Sequence, residues 1–365
     1  MLNKLTIANV AHRPVRTLLS IVAIAVEVTM ILTLVGVSNG TLHESARRAR
    51  GTGADILVRP PGSSVLSSAS SSPMSDKLPA VFAAEPHIVL ATGTMVQPLE
   101  LFDTITGLNF DQFGKMSGGF RFNNGGLPVN DTDMIVDEPY AREKHLHVGD
   151  TLELISQQWH ISGIYEPGKI ARLCVKLGAL QRFTGNPNRL SQIYLKVDDP
   201  SQAQRVVDSL REKYSGYKIY TVDYYTSLLS VSSVGLLRNF TYVVIGVAMI
   251  VGFIVVFMAM YTAVLERTRE IGILKAVGGS SALILGMLMR ETLLLAILGT
   301  VLGILMTYLT QWIMLHVVPN SLVQETVYAW WPIAAAIAIS GSLIGAIVPG
   351  IKAIRQDATE ALSYE

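Results

Sequence analysis

Three histidines and a run of carboxylates are the first residues to weigh for chemistry. His145 and His147 form an H-x-H pair with His160 further on, and Asp131, Asp133, Asp137 and Glu138 lie just ahead of them. Two imidazoles at that spacing can meet one metal ion, but no carboxylate or cysteine spacing completes a ligand set. A calcium loop needs a defined ligand spacing with a turn glycine, which the acidic run lacks. These groups read as surface histidines and a solvated turn. Cys174 is the only cysteine, which excludes an internal disulfide and a multi-cysteine metal site. Its ARLCVKL setting offers no electropositive niche of the kind that activates a thiol. G-x-S-x-G, H-E-x-x-H and C-x-x-C are all absent from residues 43–235. No catalytic residue, metal or cofactor is expected on this chain.

A second group of reactive side chains is more informative. Residues 266–279 read ERTREIGILKAVGG, and they stand between Asn239–Leu265 and Thr292–Leu315, two runs without a charged residue. Glu266 with Arg269, and Arg267 with Glu270, are i,i+3 pairs that support a short helix. Ile271, Leu274 and Val277 share one apolar face, with Ile273 beside it. Gly272 lies within the turn and Lys275 near its end. Gly278 suits the position just past a helix, and Ser280 or Ser281 can cap the next one. A loop that only needed positive charge would be satisfied by any few Lys and Arg. A structured helix with an apolar face predicts something docked on it.

The elements that position this helix are membrane spans. The 365-residue chain is 50% hydrophobic and only 16% charged, against about 25% charged for an ordinary soluble domain. Its mean hydropathy is +0.40. Spanning a bilayer takes about 20 apolar helical residues, and Thr17–Val37, Asn239–Leu265, Ala282–Val317 and Trp331–Ile351 qualify. The first reads as an uncleaved anchor, because its apolar run exceeds a signal-peptide core and no A-x-A-like site follows. Lys4, Arg13 and Arg16 precede the first span, Arg267, Arg269 and Lys275 follow the second, and Lys352 and Arg355 follow the fourth. The short loop between the third and fourth has no Lys or Arg. The positive-inside rule then places both termini and the 266–281 loop in the cytoplasm. A net charge of +1 offers no field for nucleic acid.

The expected organisation follows. Residues 1–16 form an amphipathic cytoplasmic leader helix, 17–42 the first span, and 43–235 an extracytoplasmic domain. Residues 236–265 form the second span, 266–281 the cytoplasmic helix, 282–317 the third span and 318–330 a short outer loop. The fourth span covers 331–354 and a cytoplasmic tail 355–365. The fold class is an integral membrane α-helical protein with four transmembrane helices and a large α+β external domain. In that domain, strands at GADILV, 87–94, 192–197 and 218–222 and helices at 76–84 and 201–213 put one α+β subdomain in the flanks, 43–103 and 191–235. The middle, 104–190, with its SGGF and NNGGLP turns, reads as an inserted β-rich subdomain. There HVGDTLELI and QWHISGIYEPG read as an antiparallel pair. Residues 63–75 are a Ser-rich exposed loop.

Within the spans, Glu27 falls near the middle of the first. An ionisable group there costs about 2.5–3.5 kcal/mol or more and faces a partner or cavity. A coupling contact in the bundle and a protonated side chain bonded to a neighbour are both open. Gly299-x-x-x-Gly303 and Gly341-x-x-x-Gly345 are motifs that allow close backbone approach. The spans otherwise lack the acidic chains and broken helices of a protein that moves a solute through its own core.

ERTREIGILKAVGG resembles the cytoplasmic loop of the MacB/FtsX/LolC-type permeases of ABC transporters, the mechanotransmission (type VII) class. The leader with Asn9, Arg13, Arg16 and Thr17, GADILV at 53–58, HVGDTLEL at 147–154 and the tail PGIKAIRQDATEALSYE at 349–365 are similar to recurring pieces of that family. Ala358 stands where the family's closing motif usually carries Pro. The resemblance covers essentially the whole chain in order. It implies that 266–279 is a coupling helix seated in an ABC ATPase subunit, with two ATPase copies and a dimer of permeases, identical or paralogous. It implies a bacterial inner-membrane location and Porter-like and Sabre-like external subdomains, in the flanks and the middle respectively. A periplasmic adaptor of the membrane-fusion type is a further implied partner. No G-x-x-x-x-G-K-[ST] is present; GVSNG and GGSSA both lack the Lys. MacB carries a fused ATPase, so ATP and Mg are expected on a separate subunit here. Export or extraction of a substrate is the expected work. An FtsX-like regulator that activates a periplasmic hydrolase is the alternative, and a membrane enzyme is disfavoured for want of catalytic geometry.

Overall fold

The computed structural model describes residues 14–63, 74–99, 103–229, 235–316 and 323–355. Residues 1–13 of the leader-helix reading, residues 356–365 of the closing motif, and most of the Ser-rich stretch lie outside the described residues. The chain forms two compact units. One holds Met1–Asn39, Leu236–Val317 and Gln324–Glu365; the other holds Gly40–Gly235 with Val318–Val323.

Helix α1 (Pro14–Arg50) is one element of 37 residues. Pro14 begins it, where a missing N–H costs nothing, and Arg47, Arg48 and Arg50 close it at the end that favours cations.

The external unit is built on a ten-stranded sheet. Its chain order is β1 (Ile56–Arg59), β2 (Met74–Ser75), α2 (Leu78–Ala83), β3 (Ile88–Pro98), β4 (Thr104–Leu108), α3 (Phe110–Ser117), β5 (Phe122–Gly125), β6 (Asp133–Asp137) and α4 (Glu138–Glu143). There follow β7 (Thr151–Leu154), β8 (Gln157–Tyr165), β9 (Leu173–Lys176), α5 (Leu177–Phe183), β10 (Arg189–Leu190), β11 (Gln192–Val197), a 3-10 turn (Pro200–Gln202), α6 (Ala203–Lys213), β12 (Lys218–Thr221) and α7 (Val222–Leu228). The order across the sheet is β12-β1-β11-β3-β4-β9-β6-β8-β5, with β7 on β8.

The flanks of the external segment do converge. β1 sits between β11 and β12, antiparallel to both. Ile56, Val58, Phe82, Ile193, Leu195, Val207 and Leu210 share one core. β7 and β8 form the antiparallel pair read from the sequence.

The middle, residues 104–190, is rich in strands. It contributes α3, α4 and α5 as well as strands, and those strands extend the flank sheet. The reason is the length of β3. Its residues Ile88–Thr94 pair with β11, and Thr94–Pro98 pair with β4, so one strand of about 36 Å at 3.3 Å per residue serves both halves. Around β6 and β9 both sheet faces are covered. Met134, Val136, Leu173 and Val175 enter a core with Trp159 and Leu180, while Ile135 and Cys174 point into another with Phe113 and Tyr165. That alternation is the period of two of a strand, and double burial explains the unbroken apolar runs MIV and LCV.

The other unit contains the first part of α1 with α8 (Gly235–Glu266), α9 (Thr268–Ala276), α10 (Ser281–His316) and α11 (Trp330–Arg355). Among the described residues, four helices, α1, α8, α10 and α11, have the length and composition to cross a membrane. At 1.5 Å per residue α10 is about 54 Å long, well beyond a hydrocarbon core of about 30 Å. Close approach is provided by glycine. A Cβ on Gly299 would stand 2.7 Å from Cβ of Ile24, and one on Gly303 would stand 2.7 Å from both the Ala25 carbonyl oxygen and Cβ of Val28. Thr29 adds a hydrogen bond from Oγ1 to the Gly303 carbonyl at 3.0 Å. In α11, Gly345 faces the Phe253 carbonyl in the same way at 2.9 Å, whereas Gly341 has room, with Met249 Cγ at 3.8 Å.

Candidate coupling site

The short helix α9 is shaped by chemistry local to it. Glu270 lies in its first turn and Lys275 in its last, each at the end of the helix dipole that favours it. At the elbow with α8, Thr268 Oγ1 donates to the Leu265 carbonyl at 2.8 Å. At the far end Gly278 has φ +93°, a conformation that suits glycine. Its N–H donates to Lys275 at 2.9 Å and the Gly279 N–H donates to Leu274 at 2.8 Å. These two bonds form a Schellman end. Ser280 Oγ then accepts from the Leu283 N–H at 3.3 Å and caps α10.

The two faces of α9 are unlike. Arg267, Thr268 and Gly272 are buried, and Ile271 packs against the core of the bundle. Lys275 Nζ donates to the Ile354 carbonyl at the end of α11. Glu266, Arg269, Glu270 and Gly278 are exposed, together with Ile273 at 48%, Leu274 at 37% and Val277 at 84%. Ile271 therefore does not share a face with Leu274 and Val277. The outward surface is the apolar trio Ile273, Leu274 and Val277 flanked by Arg269 and Glu270.

A girdle of polar contacts lies where the charge-free stretches end. Arg267 Nη1 meets Glu291 Oε2 at 3.2 Å, with side chains 9% and 2% exposed. Arg267 lies two residues past the charge-free run of α8, and Glu291 immediately precedes that of α10. Lys352, the first charge after the apolar part of α11, donates to the Tyr261 hydroxyl at 2.5 Å and sits 4.4 Å from the centre of its ring. The sequence pairs Arg267 with Glu270 one turn on; its guanidinium reaches α10 instead. Glu291 went unrecognised as a site residue. Its signal was there, since Arg290 and Glu291 are the only Asp, Glu, Lys or Arg between 282 and 315.

Glu27 is 6% exposed. Its carboxyl lies over Gly252 of α8, where a Cβ would overlap it, and Oε1 is buried without a hydrogen-bond partner among the described residues.

Of the acidic residues and histidines read from the sequence, Asp133 and Asp137 are buried, while His147, His160 and Asp131 are exposed. Asp133 is buried, not part of a solvated turn; Oδ2 accepts from the N–H groups of Val129 at 2.9 Å and Asn130 at 2.7 Å. Burial raises its carboxyl, and those donors outweigh the burial to leave it below the usual range. Asp137 is also buried. It caps α4 through the Tyr140 N–H at 3.0 Å and lies 3.5 Å from Arg48 of α1, which also pairs with Glu44 at 3.1 Å. Asp131 pairs with Arg182, and Glu138 with Arg142 at 2.5 Å. His147 lies 3.5 Å from Asp150 and His160 3.6 Å from Asp133. Among the described residues no three His, Cys, Asp or Glu side chains form a metal-binding group. Cys174 is fully buried, and burial pushes its thiol up to about 12.

Residues 17–213, more than half of the chain, match the family model of the MacB-like periplasmic core domain, and residues 242–358 match that of the FtsX-like permease C-terminal region. The macrolide export ATP-binding/permease protein MacB of Acinetobacter baylyi is 25% identical over 392 residues, covering 97% of this chain and 58% of that protein. An uncharacterised ABC transporter permease of Methanocaldococcus jannaschii is 20% identical over 217 residues, covering 56% of this chain and 54% of that protein. The chain thus spans little more than half the length of either relative. The solved periplasmic region of MacB from Actinobacillus actinomycetemcomitans is similar at 13% identity and a TM-score of 0.38, covering 49% of this chain and 94% of that one. With the periplasmic-core model on its first half and the permease model across α8 to α11, the chain belongs to the MacB/FtsX-type family of ABC transporter permeases.

Proposed function

We propose that this chain is the permease subunit of an ABC transporter and that α9 is its coupling helix. The carrying observation is the outward face of α9, where Ile273, Leu274 and Val277 are exposed beside Arg269 and Glu270 on a helix fastened to the bundle at both ends. An apolar patch rimmed by charge on so short and so well-held a helix is a docking surface. Its partner is an ABC ATPase supplied as a separate subunit, two copies per complex, which binds the ATP and Mg. The permease acts as a dimer with a second copy or a paralogue.

In this reading both termini and α9 are cytoplasmic and the membrane is a bacterial inner membrane; the short segments rich in Lys and Arg support that orientation. The external unit then lies in the periplasm, where ATP-driven motion is used to export or extract a substrate, with a periplasmic adaptor as further partner. The apolar spans, without a polar stripe, support work done by the external unit and not passage between the helices. Purification of the full chain from its native membrane tests the reading. Recovery of an ABC ATPase is expected, with an adaptor in the case of efflux and a lipoprotein in the case of lipoprotein release. Recovery of a cell-wall hydrolase would replace export by regulation, and absence of any ATPase would contradict the proposal.

A further inference from the structure

The helix that receives force is joined in sequence to α8 and α10, but peptide bonds alone do not make it a lever. A short helix between two turns can rock without moving its neighbours. What prevents this is side-chain chemistry at each end. At the start of α9, Arg267 Nη1 meets Glu291 Oε2 at 3.2 Å, and both side chains are almost fully buried. At its finish, Lys275 Nζ holds the Ile354 carbonyl of α11. Between them Ile271 packs into the core.

The position of Glu291 is the telling point. It lies ten residues into α10, about 15 Å from its first residue at 1.5 Å per residue. The contact therefore joins the elbow of α9 to the body of α10 and not to its first turn. The next residue, Thr292, begins the charge-free stretch. Arg290, the neighbour of Glu291, is exposed, so the burial of Glu291 is specific to its side of the helix. An ion pair buried at the edge of lipid is a poor choice for stability alone, because apolar residues of the same volume hold a bundle as well or better. It is a good choice for a contact that must be directional and have two discrete states, made or broken.

We propose that Glu291 is a positioning residue for energy coupling, acting through Arg267 so that displacement of α9 is delivered to α10 as well as to α8. The proposal rests on the coupling reading of α9 and adds the route by which motion leaves it. Without the pair, α9 still presents Ile273, Leu274 and Val277 to the ATPase, but α10 no longer follows.

The test is hydrogen–deuterium exchange on the full permease–ATPase complex in lipid nanodiscs, with and without ATP and Mg. The variants are Glu291→Gln, Glu291→Asp and the charge swap Arg267→Glu with Glu291→Arg. In the unaltered complex ATP changes exchange in both 266–279 and 284–300. In Glu291→Gln the ATPase stays bound and 266–279 still responds, while the response of 284–300 falls about tenfold, within the usual range of a coupling energy. Glu291→Asp keeps the charge and retains part of the response, and the swap restores it. A full response of 284–300 in Glu291→Gln would overturn the proposal, and so would a loss that neither Asp nor the swap relieves. If Glu291→Gln fails to enter the membrane, Glu291→Asp and Arg267→Lys carry the same comparison. Glu270→Arg separates the two claims. Normal ATPase binding in that variant would count against the coupling reading itself, whereas the Glu291 series bears on transmission alone.

Discussion

The carboxyl group of Glu27 rests on the backbone of Gly252, in a space that any larger residue at 252 would fill. Its Oε1 is buried with no hydrogen-bond partner among the described residues, a situation that costs about 1–3 kcal/mol. Glu27→Met, which keeps the volume and removes the polar atoms, is expected to raise the thermal midpoint of the purified full chain in detergent. Gly252→Val is expected to lower it, and Glu27→Ala to relieve part of that loss. A lower midpoint in Glu27→Met would show that the carboxyl has a partner of its own.

The two G-x-x-x-G motifs are not equivalent. A methyl on Gly303 meets a backbone carbonyl and Cβ of Val28 at 2.7 Å, whereas one on Gly341 finds Met249 Cγ at a relaxed 3.8 Å. Gly303→Ala is expected to destabilise the bundle by about 1–3 kcal/mol, the usual cost of overpacking. Gly341→Ala should stay within about 0.5 kcal/mol of the parent. Equal midpoints for the two variants would contradict the packing described.

Asp137 makes stability of the external unit depend on pH. Burial raises its carboxyl from 3.8 to about 6, with Arg48, the Tyr140 N–H and Arg172 opposing the rise. The folded unit thus holds the proton more tightly than the unfolded chain does. The stabilisation is complete below pH 3.8 and is lost as pH rises through 6, a change of about 3 kcal/mol for two pK units. Asp137→Asn should flatten this slope between pH 4 and 7. Trp159 fluorescence during urea unfolding reads it, in a full chain whose Trp312, Trp330 and Trp331 are Phe. An unchanged slope in Asp137→Asn would assign the dependence elsewhere.

Local chemistry was legible in the sequence, and long-range pairing was not. Gly278 and Ser280 announce the end of one helix and the start of the next, because capping depends on residues within a turn. The spans are legible because lipid demands a composition and a length. By contrast, α9 has apolar residues on two sides, so its spacing could not separate Ile271, which packs inward, from Leu274 and Val277, which face out. Glu291 was overlooked because its partner lies on another helix. Asp133 and Asp137 looked solvated since carboxylates in a turn-rich stretch usually are; their burial depends on N–H donors and on Arg48 of α1. The ten-stranded sheet shared by flanks and middle was hidden by β3, whose two halves serve different neighbours.

The central claim is that the outward face of α9 is where an ATPase docks. It is tested most directly by ATPase binding to the full chain carrying Ile273→Asp with Val277→Asp, beside a chain carrying Ile271→Asp. The outward pair is expected to lose ATPase binding by about tenfold or more, as removal of central anchors does, with its thermal midpoint intact. Ile271→Asp is expected to lower the midpoint, since that side chain packs into the bundle. Normal ATPase binding and stimulation in the Ile273→Asp, Val277→Asp chain would contradict the account.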